Sequence, residues 1–300
     1  MKSGVLCLYK EAGMTSHDAV MKVRRLYGTK KVGHTGTLDP QATGVLPILI
    51  GNAVKACDLI PHETKTYRAT VRFGVCTDTE DIWGKELRRD DRRPDRETWE
   101  KAMVSLLGPS QQTPPMMSAV KVGGRKLYEY AREGKEVFRP ARPIFVYNLD
   151  LLSFSRDEAT LRARVSKGTY IRTLLTTLCE KADCLGAMSA LEREISGDFS
   201  LSQAVFLREI EEMTAKEREE ILLETEALFA SYPAFFLPAF FDRLVANGCR
   251  VQTKKLGLEG SVGQRFRLYR DGVFFALGEI REEEGETVLC KICSFPPEEA

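Results

Sequence analysis

Residues 33–55 read GHTGTLDPQATGVLPILIGNAVK. The segment holds a single carboxylate, Asp39, and a single histidine, His34, set among Gly33, Gly36, Gly44 and Pro40. Glycine accepts backbone conformations that strain other residues. Proline pushes the residue before it, here Asp39, towards an extended form and ends any helix at that point. Together these residues present Asp39 on a tight, shaped loop. The apolar run at residues 45–50, broken only by Pro47, then reads as buried backbone. By themselves Gly, Asp and Pro describe an ordinary turn. A rigid loop that holds one carboxylate beside buried backbone also describes a catalytic loop.

The whole string separates these readings. It resembles the signature of the TruB family of tRNA pseudouridine synthases, G-H-x-G-x-L-D-P-x-A-T-G-x-L-P, and every fixed position of that pattern is present from Gly33 to Pro47. The resemblance implies that Asp39 is the catalytic residue. It also implies an α+β fold: a pseudouridine synthase domain with a mixed, largely antiparallel central sheet and flanking helices, followed by a small PUA-like β-barrel.

Two further strings carry the resemblance. Residues 66–73 alternate, with Tyr67, Ala69, Val71 and Phe73 on one side and Arg68, Thr70 and Arg72 on the other, which is the period of a half-buried strand. Tyr67 reads equally as a core aromatic or as a ring that stacks on a base, with a hydroxyl free for proton transfer. Lys65-Thr66-Tyr67-Arg68-Ala69 matches the family's K-x-Y-x-A, whose tyrosine packs on the target base. Residues 167–172, KGTYIR, match a family motif position by position and lead from a strand into a helix whose apolar face is Ile171, Leu174, Leu175 and Leu178. A guanidinium at Arg172 suits a surface, or a site where it holds a carboxylate by charge-assisted hydrogen bonds. The resemblance implies that Arg172 pairs with Asp39, that Tyr170 and Leu191 contact substrate, and that residues 190–200, which carry L-x-R-x-x-x-G-x-F, close the pocket. His34, otherwise a turn histidine, would fill or stack in the space left by a flipped base.

Composition agrees with an ordinary soluble globular protein. The chain has 300 residues, 43% hydrophobic and 29% charged, enough for about two domains and a substantial core. No apolar run approaches the roughly 20 residues that span a bilayer, and the N-terminal apolar segment is too short for a signal peptide, so a cytoplasmic location is expected. Eight scattered cysteines fit reduced thiols. Cys290 and Cys293 form the one CxxC, without the second pair or nearby histidines of a zinc site, so no metal is expected. The net charge of +1 hides an uneven distribution: residues 207–227 and 279–300 carry −5 each, leaving +11 on the rest. A basic body with acidic margins is compatible with phosphate binding.

In order, residues 4–9 read as a strand, and Thr15 or Ser16 caps a helix to about Leu26 that ends at Gly28. TDTEDIWG (77–84) is an acidic turn similar to the family's T-D-T-x-D-x-x-G. Residues 97–107 read as a helix with Trp99, Met103, Leu106 and Leu107 on one face. Residues 108–143 read as irregular, with basic and aromatic side chains interleaved, and resemble the family's thumb insertion over RNA. Residues 144–166 give two strands. Residues 201–228 read as helical and acidic, and composition shifts at 231–238. This divides the chain into a catalytic domain at 1–230 and a PUA-like domain at 231–300, the latter with short strands and an Asp271-Gly272 hairpin.

The function implied is isomerisation of uridine to pseudouridine at position 55 in the T loop of tRNA, by base flipping and with no cofactor. The C-terminal domain would face the acceptor stem, and the chain would act as a monomer. Two other classes stand beside it. A non-catalytic RNA module has no need of a carboxylate near phosphates. A phosphate-cradling nucleotide enzyme needs G-x-x-x-x-G-K-[ST], which the loop lacks.

Overall fold

The computed structural model describes residues 2–61 and 64–296. The chain opens with β1 (Gly4–Lys10), α1 (Ser16–Leu26), β2 (Val32–His34), β3 (Thr43–Ile50) and β4 (Thr64–Phe73). Next come β5 (Val75–Thr77), β6 (Glu86–Arg89), α2 (Arg96–Val104) and β7 (Gly108–Gln112). A small hairpin of β8 (Lys121–Val122) and β9 (Arg125–Lys126) leads into α3 (Leu127–Arg132). Then follow β10 (Arg142–Phe154), β11 (Glu158–Ser166), α4 (Ile171–Lys181), β12 (Gly186–Ser196), β13 (Phe199–Ser200) and β14 (Val205–Phe206). After α5 (Leu207–Glu212) and α6 (Ala215–Glu220) come β15 (Ala234–Phe236), α7 (Ala239–Ala246), β16 (Val251–Gln252) and α8 (Thr253–Leu256). The described chain closes with β17 (Arg265–Arg270), β18 (Val273–Glu283) and β19 (Glu286–Ser294).

Ten strands form the central sheet, in the order β14-β1-β3-β12-β4-β11-β10-β7, with β2 on β3 and β13 on β12. Only β1·β14 and β3·β12 run parallel, so the sheet is mixed and largely antiparallel. The parallel β3·β12 pairing is short, Thr43 to Glu192 and Gly44 to Arg193. Gly44 sits there at φ +103, and an added Cβ would collide with the Arg193 backbone, so the junction requires glycine.

The alternation read in β4 is real. Tyr67, Ala69, Val71 and Phe73 join one core with Val20 and Val23 of α1, Trp99 of α2 and Leu175 and Leu178 of α4. Each such aliphatic side chain contributes about 1.5–3 kcal/mol on burial. Strand β3 is buried on both faces. Leu46, Ile48 and Ile50 face that first core, while Val45 and Leu49 face a second, shared with Phe229, Leu277 and Phe295. The C-terminal five-stranded sheet, ordered β15-β17-β18-β19-β16, thus packs against the rear face of β1 and β3. Asp271 and Gly272 both take positive φ, 49 and 79, as the tight β17–β18 hairpin demands.

Three expectations need correction. Residues 108–112 are not loop: they form an edge strand paired to β10, so the irregular excursion starts after Gln112. Helix α2 ends at Val104, and Leu107 is exposed rather than on its buried face. The acidic helical segment is divided, because Thr214 caps a new helix by accepting from the Glu217 N–H. Cys290 and Cys293 are free thiols in β19.

Candidate active site

The Asp39 loop spans the gap between β2 and β3, and three side chains from elsewhere fix its backbone. Ser16, buried at the start of α1, accepts from the Leu38 N–H at 2.8 Å and donates to the Leu38 carbonyl at 3.1 Å. Lys10, fully buried at the end of β1, donates to the carbonyls of Glu11, Pro40 and Ala42 at 2.9, 3.0 and 2.8 Å. Arg193, also fully buried, donates to Val45 at 2.7 Å and to Gly36 at 3.1 Å. The loop is therefore tied on both sides of its carboxylate.

Burial lowers the Lys10 pKa from 10.5 to about 8; the Asp39 carboxylate offsets part of this and the Arg193 charge adds to it. The same burial, with the Arg193 and Lys65 charges, lowers the His34 pKa, so its imidazole is neutral near pH 7. His34 is half-buried with Nδ1 unpartnered, and it does not line the cleft described next.

Arg172, at the first turn of α4, is 3% exposed. Its Nε meets Asp39 Oδ2 at 3.0 Å and its Nη2 meets Oδ1 at 3.3 Å, a forked pairing. The other donors reach the carbonyls of Thr79 and Met117, each at 2.8 Å. Asp81 Oδ2 stands 4.0 Å from Nη1. The guanidinium is thus fixed by three separate segments. The Asp39 side chain keeps 38% exposure, towards a cleft of about 250 Å³ that is also lined by Lys65, Tyr67, Ser118, Tyr170 and Leu191.

Five of the six candidate residues meet here: Asp39, Tyr67, Tyr170, Arg172 and Leu191 line one cleft, and His34 stands apart. Residues that were not expected support them. Gln112, at the end of the edge strand, donates to the Tyr170 carbonyl at 3.0 Å and accepts from its N–H at 2.8 Å, tying the excursion to the start of α4. Glu80, at φ +65, accepts from the Thr173 hydroxyl at 2.6 Å, and burial raises its pKa. No local pattern marks a glutamine or two main-chain carbonyls as partners of a distant helix. Among the described residues no cluster of His, Cys, Asp and Glu is arranged to hold a metal, and no helix is long and apolar enough to cross a membrane.

Residues 24–171 match the family described as TruB family pseudouridylate synthase, N-terminal domain. The tRNA pseudouridine synthase B of Bacillus licheniformis is 44% identical over 84% of this chain and 84% of its own length. That of Alkaliphilus oremlandii is 39% identical over 97% of both. The chain belongs to the TruB family of pseudouridine synthases. The TruB relative from Bacillus subtilis is 41% identical over 90% of both chains. The solved structure of a Cbf5-Nop10-Gar1 complex includes a chain that superposes with a TM-score of 0.75 at 21% identity, covering 98% of this chain and 85% of that one. A Cbf5 chain of an archaeal box H/ACA sRNP Nop10-Cbf5 complex gives 0.72 at 20% identity, with 98% and 86% covered. At that identity the likeness speaks for the fold alone.

Proposed function

We propose that this TruB-family chain isomerises uridine to pseudouridine at position 55 in the T loop of tRNA. The observation that carries the reading is the forked Arg172–Asp39 pair at the floor of a cleft walled by Tyr67, Tyr170 and Leu191. The reaction breaks the N1–C1′ bond, turns the base and joins C5 to C1′. The C5 proton leaves and N1 gains one, so no oxidant, reductant or water is consumed. The uridine must leave the loop's stack to reach a cleft of this depth.

Asp39 acts on the nucleotide as nucleophile or as base, its carboxylate aimed by Arg172 and open to the cleft on its other side. Tyr67 offers a ring to the base and a hydroxyl to a proton. Tyr170 and Leu191 complete the walls that hold water back. The interleaved cations and rings between Gln112 and Arg142 close over the RNA, where Arg125 and Arg132 already lie over the rings of Tyr130 and Tyr128. The C-terminal sheet domain faces the acceptor-stem side, and one copy of the chain suffices.

The test is pseudouridine mapping on an unmodified tRNA transcript, without added metal or cofactor, for wild type and Asp39→Asn. Modification of the T-loop uridine by wild type only is the expected result. Binding without modification by either protein would leave an RNA-binding module and overturn the enzyme reading.

A further inference from the structure

Helix α4 ends in a corner that sets two cysteines against each other. Asp183 takes φ +51, the left-handed turn that closes a helix. Its N–H donates to the Glu180 carbonyl at 3.2 Å, and the Cys184 N–H donates to the Cys179 carbonyl at 3.0 Å. These two bonds make a Schellman motif, and the longer of its two loops runs from one cysteine to the other. The backbone on both sides of the pair is therefore fixed before any sulfur chemistry begins.

The side chains meet as well. The Cys184 thiol donates to the Cys179 carbonyl at 3.5 Å. When Cys184 gives up its proton, the Cys179 thiol donates to the sulfur left behind, which lowers the Cys184 pKa and raises that of Cys179. Burial and Asp90 oppose the lowering at Cys184, while the Arg93 and Arg92 charges add to it. One sulfur is thus the better nucleophile and the other the proton donor. Gly186, at the start of β12, has no Cβ in the space that the Cys179 sulfur fills. Both residues are buried, at 1% and 5% exposure. Their cover is thin: Asp183 is held on the outside by Arg92 at 2.8 Å, in an ion pair whose side chains are 89% and 55% exposed. Such a pair stabilises little, so local opening of the corner admits a small oxidant.

We propose that Cys179 and Cys184 are a redox pair, which a hydroperoxide closes into a disulfide across the corner between α4 and β12. The Cys184 thiolate attacks a peroxide oxygen. An S–O bond forms, the O–O bond breaks, and the departing hydroxide takes up the proton that Cys184 released. The Cys179 sulfur then attacks the sulfenic sulfur. The S–S bond forms, the S–O bond breaks, and the hydroxide leaves as water with the Cys179 proton. Two thiols are oxidised by two electrons, hydrogen peroxide is reduced to two waters, and a dithiol reverses the bond. Arg172 lies seven positions before Cys179, about 10 Å along the helix, so the bond locks the far end of α4 from the Asp39 pair.

Trypsin makes the test direct, because it cuts after Arg172, Lys181 and Arg193 and so places the two cysteines on separate peptides, 173–181 and 182–193. Wild type, Cys184→Ser and Cys179→Ser are treated with hydrogen peroxide, alkylated under denaturing conditions, digested and read by mass spectrometry. Pseudouridine formation before treatment checks that each variant is folded. The two peptides of wild type should appear joined, lose alkylation together and separate on addition of dithiothreitol. Cys179→Ser should carry a dimedone-trapped sulfenic acid at Cys184, and Cys184→Ser should show no joined peptides. Full alkylation of both residues at peroxide doses that oxidise the exposed Cys57 and Cys249 would overturn the pair, as would a bond from either residue to another cysteine.

Discussion

Replacing Lys10 by methionine tests how the Asp39 loop is held. The substitution removes three donors at once. The bond to Ala42 is buried, so leaving that carbonyl unsatisfied costs about 2 kcal/mol, while the part-buried carbonyls of Glu11 and Pro40 recover water and cost about 0.5–1 kcal/mol each. Against this roughly 3–4 kcal/mol stands the burden that a buried ammonium imposes at neutral pH. A fall from 10.5 to about 8, at 1.36 kcal/mol per unit, puts that burden at about 3 kcal/mol. The two nearly cancel, so global stability at pH 7 should change by less than about 1.5 kcal/mol. Activity should not survive in the same way: Pro40 and Ala42, just after Asp39, lose their tether, and a roughly 1 Å displacement can cost about a hundredfold in rate.

The pH dependence has a definite sign. Between about 8 and 10.5 the unfolded chain holds the Lys10 proton and the native chain does not, so this group's contribution to stability rises with pH through that window and is constant below it. Urea unfolding at pH 7 and 9.5, for wild type and Lys10→Met, together with pseudouridine formation at pH 7, measures both effects. A stability loss beyond about 4 kcal/mol, or full activity in the variant, would refute the account.

Other consequences follow from the same geometry. Arg172→Lys gives up the fork on Asp39 and cannot reach the Thr79 and Met117 carbonyls together; pseudouridine formation should fall at least about a hundredfold, with a thermal-shift loss equivalent to roughly 2–4 kcal/mol. Gln112→Ala leaves the Tyr170 N–H and carbonyl without their partner and should cost about 1–3 kcal/mol in urea unfolding. An NMR titration should show the His34 imidazole titrating below the ordinary 6.5, absent from the spectrum of His34→Gln, since burial and two neighbouring cations disfavour its charged form. A His34 midpoint at or above 6.5 would contradict that placement.

What the sequence made legible was local. The strand period of β4, the Thr15 cap of α1 and the apolar face of α4 are short-range patterns, and each survives in the fold. The edge strand at 108–112, GPSQQ, was illegible because it has no apolar alternation; pairing along a single side tolerates Pro109 there. The meeting of Asp39 with Tyr67, Tyr170, Arg172 and Leu191 was accessible through the family signature, not through any property of five separated residues. The supports around them are mostly side chain to main chain, from Lys10, Ser16, Gln112 and Arg193. Main-chain carbonyls are identical at every position, so nothing in a string of letters marks which of them will receive a donor. His34 shows the converse: a residue inside the signature that the fold holds outside the cleft.

Strand β3 is covered on one side by the helices around α1 and on the other by Phe229, Leu277 and Phe295. The C-terminal sheet domain is therefore not a bead on a string. Its apolar residues are one half of the lining of the strand that continues directly from the Asp39 loop. Heating should bring both regions down in a single cooperative transition, and cutting the chain near residue 230 would take Leu277 and Phe295 out of the cover of Val45 and Leu49. The C-terminal sheet and β3 share one apolar seam, so the two halves are coupled like the arms of one rigid caliper.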